Sequence, residues 1–307
     1  MKILVATEKA FAPVAIRQIH EVIDAAGYEL SLLENYRNSS DLLHAVADAD
    51  ALIVRSDKVT SEVLDAAKKL RIVVRAGAGY DNLDIKSCTE HNVVAMNTPG
   101  QNANAVAELV FELMLYQIRG GFNGEVSGSE LRTKTLGLHG FGNVSKYVAD
   151  IAKGFGMDIY TYDPFVSERI MKNNNAKQIV DVEELYSKCQ FISLHMPLNE
   201  RTSKFIGYDL LKRMPQNAVL VNTARKEIID EAGLLRIFEE RPDFSYLSDV
   251  APDNKSVFEE KFKGRFIFTD KKMGAQTEEA NINAGVAAAR QIVDFFTKGI
   301  EKYKLNK

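Results

Sequence analysis

Residues 135–145 read Thr-Leu-Gly-Leu-His-Gly-Phe-Gly-Asn-Val-Ser, and the reading of this stretch decides the fold. The first five residues suit a short strand, and the segment that opens at Asn143 and Val144 has helical spacing. Between them stand Gly140 and Gly142. A strand that runs through Gly-x-Gly into a helix brings a pyrophosphate onto the helix N-terminus, where free N–H groups and the helix dipole stabilise its charge. Gly140 makes the tight turn, and Gly142 allows the close approach. Ser145 replaces a third glycine, at a position that only sets helix–strand packing. The next strand ends in Asp163, about 20 residues on, where a carboxylate accepts from both ribose hydroxyls and repels a 2′-phosphate. Pro164 follows, with no arginine, so the cofactor expected is NAD rather than NADP.

Outward from this turn, β-rich runs alternate with helix-period segments to both ends of the chain. Strands are expected at 2–7, 28–33, 51–55, 71–75 and 93–97, and again at 135–139, 158–162, 191–195, 218–223, 245–250 and 265–269. Helices are expected at 12–26, 42–46, 61–69 and 102–117, then at 144–153, 182–188, 208–213, 231–239 and 277–297. Single helices between strands mean right-handed crossovers and parallel sheets covered on both faces. The rhythm breaks at Asn97-Thr98-Pro99-Gly100, which reads as a hinge, and residues 120–129 read as a glycine-rich exposed loop.

The 307 residues carry 39 basic and 42 acidic side chains, a formal charge of −3, which leaves no bulk positive field for nucleic acid. Apolar runs are strand-length, so no membrane span is expected, and the N-terminus does not resemble a signal peptide. The two cysteines, Cys88 and Cys189, suit a reducing, cytoplasmic compartment and read as small buried hydrophobes. Five histidines without ligand spacing predict no metal site.

Cations gather at strand ends, which in an open parallel sheet face the ligand crevice. Arg225 follows the 218–223 strand; it either binds a substrate carboxylate bidentately or is a surface arginine in an ion pair. Lys271 and Lys272 follow the 265–269 strand, and matter only if they point into the crevice, where desolvation beside other cations lowers a lysine pKa. Arg55 and Arg75 end two strands of the first half, and Ala76-Gly77-Ala78-Gly79 after Arg75 can present backbone N–H groups to a carboxylate. This clustering predicts a small, multiply anionic substrate, a carboxylate plus a phosphate, with Arg55, Arg75 and Lys58 as candidates for the phosphate.

These residues resemble the D-isomer-specific 2-hydroxyacid dehydrogenases over essentially the whole chain, and within them the short D-3-phosphoglycerate dehydrogenases. The matching stretches are 75–82, 97–100, 107–109, 140–144 with Asp163, 195–198, 222–225 and 274–277. The resemblance implies two Rossmann-like or flavodoxin-like parallel-sheet α/β domains, one inserted in the other. The substrate-binding domain would be 1–98 plus 286–307, and the NAD-binding domain 99–285, through which relatives pair as homodimers. It implies that Arg225 binds the 2-oxo and carboxylate oxygens, that 76–79 hold the carboxylate, and that Asn102 joins the substrate set. Asp163 and Met196 would lie on the adenosine side, with His195 and Pro197 also among the cofactor contacts. Thr223, Ala224, Gly274 and Ala275 would also line the cofactor, with Asp249 near the nicotinamide amide.

The departures from the family are as informative. Asn254 stands where the family has a glutamate, and Lys272 where it has the histidine acid–base, although a different anchor selects Lys271. The two losses go together, because an ammonium already carries its proton and needs no carboxylate partner. Lys226 replaces a glycine and adds a charge. The expected activity is reversible NAD-dependent oxidation of D-3-phosphoglycerate to 3-phosphohydroxypyruvate, the first step of serine biosynthesis. The alternatives are a dehydrogenase of another D-2-hydroxyacid, of glycerate, lactate or 2-hydroxyglutarate type, and a non-catalytic NAD-binding interaction protein.

Overall fold

The computed structural model describes residues 1–124 and 127–306, which fall into two compact units. The first comprises 1–103 and 275–307, with Lys307 outside the described residues. Its elements are β1 (Lys2–Thr7), α1 (Pro13–Ala25), β2 (Glu29–Glu34), α2 (Ser39–Val46), β3 (Ala51–Val54), α3 (Ser61–Ala66), β4 (Ile72–Arg75), α4 (Ile85–Glu90) and β5 (Val94–Asn97). The strands form one parallel sheet in the order β2-β1-β3-β4-β5. Alternate side chains divide between its faces. Leu4 and Ala6 meet α2 and α3, and Ile3 and Val5 meet α1.

The second unit, 104–274, takes α5 (Ala103–Ile118) from its second residue. It continues with β6 (Thr135–His139), α6 (Asn143–Gly154), β7 (Asp158–Tyr162), α7 (Glu168–Asn173), β8 (Lys177–Gln178), α8 (Val182–Lys188) and β9 (Phe191–Leu194). Then come α9 (Tyr208–Leu211), β10 (Val219–Asn222), α10 (Glu231–Glu240), β11 (Ser245–Ser248), α11 (Lys255–Lys261) and β12 (Phe266–Phe268). The seven strands are parallel, in the order β12-β11-β10-β9-β6-β7-β8, which reverses direction at β6 and β9. That reversal is the switch point at which doubly wound sheets bind ligands. Beyond it, α12 (Glu278–Lys298) returns to the first unit.

The unit boundaries fall at 103/104 and 274/275, not at 98/99 and 285/286. The physical reason for the second shift is that α12 is one rod. Ala284, Ala288 and Ile292 on it are buried with Ile19 and Ile23 of α1, so a division inside it would cut a packed face. The periodic reading missed α4, α7, β8 and α11, each seven residues or shorter. In the 120–129 loop a 3₁₀ turn covers Gly120–Phe122, and 125–126 lie outside the described residues. No helix among the described residues is long and apolar enough to cross a membrane.

The approach of α12 to α1 depends on a missing side chain. A Cβ on Gly285 would stand 2.9 Å from Ile19 Cδ1 and 3.1 Å from the Phe11 ring. Gly285→Leu is therefore expected to cost about 1–3 kcal/mol by overpacking, read as a lower urea midpoint with an unchanged slope.

Candidate active site

The Gly-x-Gly turn joins β6 to α6. Gly140 has φ +91°, and a Cβ there would lie 3.0–3.1 Å from the His195 and Met196 backbone, so no other residue fits. Gly142 is the N-cap of α6, and a Cβ on it would meet nothing within 4 Å. Open space thus lies beside the first-turn N–H groups of Asn143 and Val144, which lack intrahelical partners. Ser145, fully buried, donates its hydroxyl to the Gly140 carbonyl at 2.6 Å and braces the turn. Asp163 accepts from the amides of Phe141 and Phe165 at 2.7 and 2.9 Å, which fixes its carboxylate at the rim of the turn. Each oxygen keeps a second acceptor direction for a ribose hydroxyl. Open cradle, helix terminus and carboxylate together fit a dinucleotide.

Two histidines lie under this turn, His139 buried and His195 half-buried. His139 Nδ1 pairs with the Tyr186 hydroxyl at 3.1 Å, whereas His195 Nε2 is buried with no partner among the described residues. Burial pushes both down to about 3, with mutual repulsion adding to the effect at His195. Met196 is buried, and Pro197 is exposed with its carbonyl taken by Thr202.

At the ends of β10 and β12 two cations converge. Lys272 Nζ donates to the Ala224 carbonyl at 2.7 Å, and Arg225 Nη1 donates to the same oxygen at 3.0 Å. The Asn222 side chain shapes the turn that holds this carbonyl, donating to Arg225 O at 2.9 Å and accepting from Ala224 N at 3.0 Å. Asp249, 1% exposed, accepts from the amides of Met273 and Gly274 at 2.7 and 3.0 Å, and from the Thr269 hydroxyl. Both carboxylate oxygens therefore anchor the loop that carries Lys272. A Cβ on Gly274 would stand 2.9 Å from Asp249 Oδ2. Lys271 is exposed and shows no such convergence; Lys272 is exposed as well. Thr223 is buried with its hydroxyl unpartnered among the described residues. The Lys226 ammonium is paired with Asp253 and adds no uncompensated charge, contrary to the sequence expectation. Asn254 gives its amide to Glu231, and its side-chain oxygen is buried without a partner among the described residues.

In the first unit a pocket is lined by Arg55, Ser56, Arg75, Ala76, Gly77, Asn102, Ala275, Gln276 and Asn281, among others. It lies at the carboxyl ends of β3 and β4. Arg75 Nε donates to Arg55 O at 2.9 Å. A Cβ on Gly77 would overlap the Arg75 guanidinium, so that glycine makes room for it. Two of the four expected carboxylate-binding amides are already used: Ala76 N donates to Val54 O at 2.8 Å and Gly77 N to Arg75 O at 2.9 Å. The first continues the sheet ladder, and the second closes a three-residue turn. Only Ala78 and Gly79 remain as amide donors, with the Ala78 carbonyl held by Asn97 at 2.6 Å. Lys58 is exposed and does not line the pocket. Ala275, expected among the cofactor contacts, also lines this pocket.

Sequence reasoning missed Asn281, whose side-chain oxygen accepts from Arg55. It stands one turn after the Thr277 N-cap, a spacing at which asparagine bonds backward to the i−4 carbonyl. It also missed Asp57, 4% exposed, which accepts from Glu8 N, Arg55 N and the Tyr36 hydroxyl. Burial, and then that carboxylate, push the Tyr36 pKa up.

The family model of the D-isomer specific 2-hydroxyacid dehydrogenase NAD binding domain matches residues 106–265. A D-3-phosphoglycerate dehydrogenase of Methanocaldococcus jannaschii is 35% identical over 82% of this chain and 51% of its own length. The chain thus spans about half the length of that relative. A hydroxypyruvate reductase of Thermotoga maritima is 33% identical over 86% of this chain and 90% of its own. The crystal structure of NAD+-bound 3-phosphoglycerate dehydrogenase of Entamoeba histolytica is 51% identical and covers 100% of this chain and 99% of that one, with a TM-score of 0.90.

Two outcomes follow from this geometry. Gly142→Val fills the open space at a β-region φ, so NADH affinity should fall at least about 100-fold while the urea midpoint stays put; retained NADH titration would refute the cradle. His139 and His195 are held neutral with pKa values near 3, but regain a value of about 6.5 on unfolding. The unfolded chain then binds more protons below that pH. Their contribution to stability should be level above about pH 6.5 and fall by about 1.4 kcal/mol per pH unit per histidine as pH drops toward 3. Urea melts at stepped pH check this, with a shallower slope expected for His139→Asn.

Proposed function

The chain belongs to the D-isomer-specific 2-hydroxyacid dehydrogenase family, and on that premise we propose that it interconverts D-3-phosphoglycerate and 3-phosphohydroxypyruvate with NAD, the first step of serine biosynthesis. The observation that carries this reading is the convergence of Lys272 Nζ and Arg225 Nη1 on the Ala224 carbonyl, which puts a proton carrier beside a fixed guanidinium. NAD, when bound, supplies the hydride acceptor in oxidation and the donor in reduction. Gly140, Gly142, Asn143 and Val144 hold its pyrophosphate, and Asp163 its ribose. Met196 flanks the adenosine side and Asp249 the nicotinamide amide, with His195, Pro197, Thr223, Ala224, Gly274 and Ala275 as further cofactor contacts.

Lys272 Nζ, transiently neutral, takes the C2 hydroxyl proton during oxidation and returns one from its ammonium during reduction. Arg225 donates to the C2 oxygen and the carboxylate, so the charge that develops on that oxygen meets a donor already in place. The Ala78 and Gly79 amides receive the carboxylate. Arg55 and Arg75 receive the phosphate, and Asn102 completes that pocket. The names of the archaeal and amoebal relatives support the phosphorylated substrate. A second reading is supported by the name of the Thermotoga hydroxypyruvate reductase, which matches over 90% of its own length. In that case the substrate is an unphosphorylated acid of glycerate type.

The protein is further read as cytoplasmic and homodimeric through the second unit. Two buried, unpaired thiols support a reducing compartment. The exposed Tyr116 and Phe122, edge to face at 5.1 Å, support an apolar docking face on that unit.

Oxidation of NADH is to be followed with 3-phosphohydroxypyruvate, hydroxypyruvate, pyruvate and 2-oxoglutarate at matched concentrations. A clear preference for the phosphorylated acid is expected, and preference for another oxoacid would reject the phosphate assignment. Lys272→Ala should lower kcat by about 10²–10⁴ with NADH binding intact. Comparable turnover in that variant would reject Lys272 as the proton carrier.

A further inference from the structure

The Arg55 guanidinium is held from three directions. It lies over the Phe11 ring, 5.0 Å from the centroid. Nη1 donates to the carbonyls of Lys9 and Ala10 at 3.2 and 3.4 Å. Nη2 donates to Oδ1 of Asn281, on α12, at 2.5 Å. A guanidinium has five N–H groups in a rigid fork. These bonds leave Nε and one hydrogen of Nη2 as donors for the oxygens of a phosphate. Neither has an acceptor among the described residues.

Asn281 is itself oriented. Its Nδ2 donates to Thr277 O at 2.7 Å, which turns Oδ1 toward Arg55. Thr277 is the N-cap of α12, and its hydroxyl accepts from Ala280 N at 3.1 Å. Helix cap, amide and guanidinium form one run of hydrogen bonds from the start of α12 to the end of β3.

We propose that Asn281 is a positioning residue: it fixes the rotation of the Arg55 guanidinium so that its remaining donors face the pocket, and thereby sets the discrimination between phosphorylated and unphosphorylated 2-oxo acids. The inference rests on the phosphoglycerate reading and names the residue behind its phosphate preference. An amide suits this task because it accepts a hydrogen bond without offsetting the guanidinium charge. A carboxylate in its place would form an ion pair and compete with the dianion. An alanine would leave Nη2 unanchored, and the rotamer freedom regained would have to be lost again on binding.

The test is kcat/KM with NADH for 3-phosphohydroxypyruvate and hydroxypyruvate in wild type, Asn281→Asp, Asn281→Ala, Arg55→Ala and the Arg55→Ala/Asn281→Ala double variant. The ratio of the two kcat/KM values should fall about tenfold or more in each Asn281 variant, through KM rather than kcat. The double variant should match Arg55→Ala alone, because Asn281 acts through Arg55. A ratio within about twofold of wild type in Asn281→Asp, or an undiminished Asn281→Ala effect in the Arg55→Ala background, overturns the assignment. Thermal melts identify a variant that has lost its fold, in which case the other Asn281 variant carries the test. Wild type without a phosphate preference rejects the phosphoglycerate reading and this inference with it. Wild type with the preference, but with a ratio unmoved by Asn281→Asp, rejects the role of Asn281 alone.

Discussion

One carbonyl oxygen, that of Ala224, accepts from two cations, and much of the second unit serves to keep it there. Like charges repel, so an ammonium and a guanidinium stay close only where a fixed acceptor lies between them and their backbones cannot retreat. Asn222 supplies the first restraint by closing the 222–225 turn with both ends of its amide. Asp249 supplies the second: buried at the end of β11, it takes two amides of the loop that carries Lys272. A buried carboxylate is costly unless hydrogen-bonded, and here satisfying that demand also sets the loop's course. The family resemblance placed Asp249 near the nicotinamide amide; its oxygens are first of all structural acceptors.

The same logic runs through the first unit. Asp57 is nearly inaccessible and ties residues that follow β1 and β3 to Tyr36, which follows β2. It therefore fixes the backbone from which Arg55 departs. Burial shifts the Arg55 pKa down, yet a guanidinium stays protonated under ordinary conditions, so the cost appears as a need for acceptors rather than as loss of charge. Carbonyls, an aromatic face and an amide meet that need without neutralising it. A site so arranged keeps its charge for an incoming anion.

The long elements were legible because each repeats its pattern often enough. β1, β6, β7 and α8 fall on the expected residues, and α1, α5, α6, α10 and α12 within a residue or two. The short helices α4, α7 and α11 were not, since six or seven residues make barely two turns and show no period. The glycine turn was legible because its residue types follow from what it must avoid. At Gly140 the obstacle is the backbone of His195 and Met196, and no side chain escapes it. The roles of Ala76 and Gly77 misled for the opposite reason. A Gly-Ala run shows that amides are accessible, not whether a neighbouring carbonyl has already taken them, as those of Val54 and Arg75 have.

By itself the sequence determined the α/β alternation, the nucleotide turn with Asp163, and the cations available at strand ends. Each of these is a local matter of period, glycine and charge. Only the tertiary structure decided which cations meet. Lys272 reaches Ala224 across 48 positions of sequence, and Arg55 reaches Asn281 across 226. It also paired Lys226 with Asp253 and left Lys58 outside the pocket. Such pairings depend on strand order and on the return of α12, which bring distant residues within a hydrogen bond of each other, and no local pattern records them.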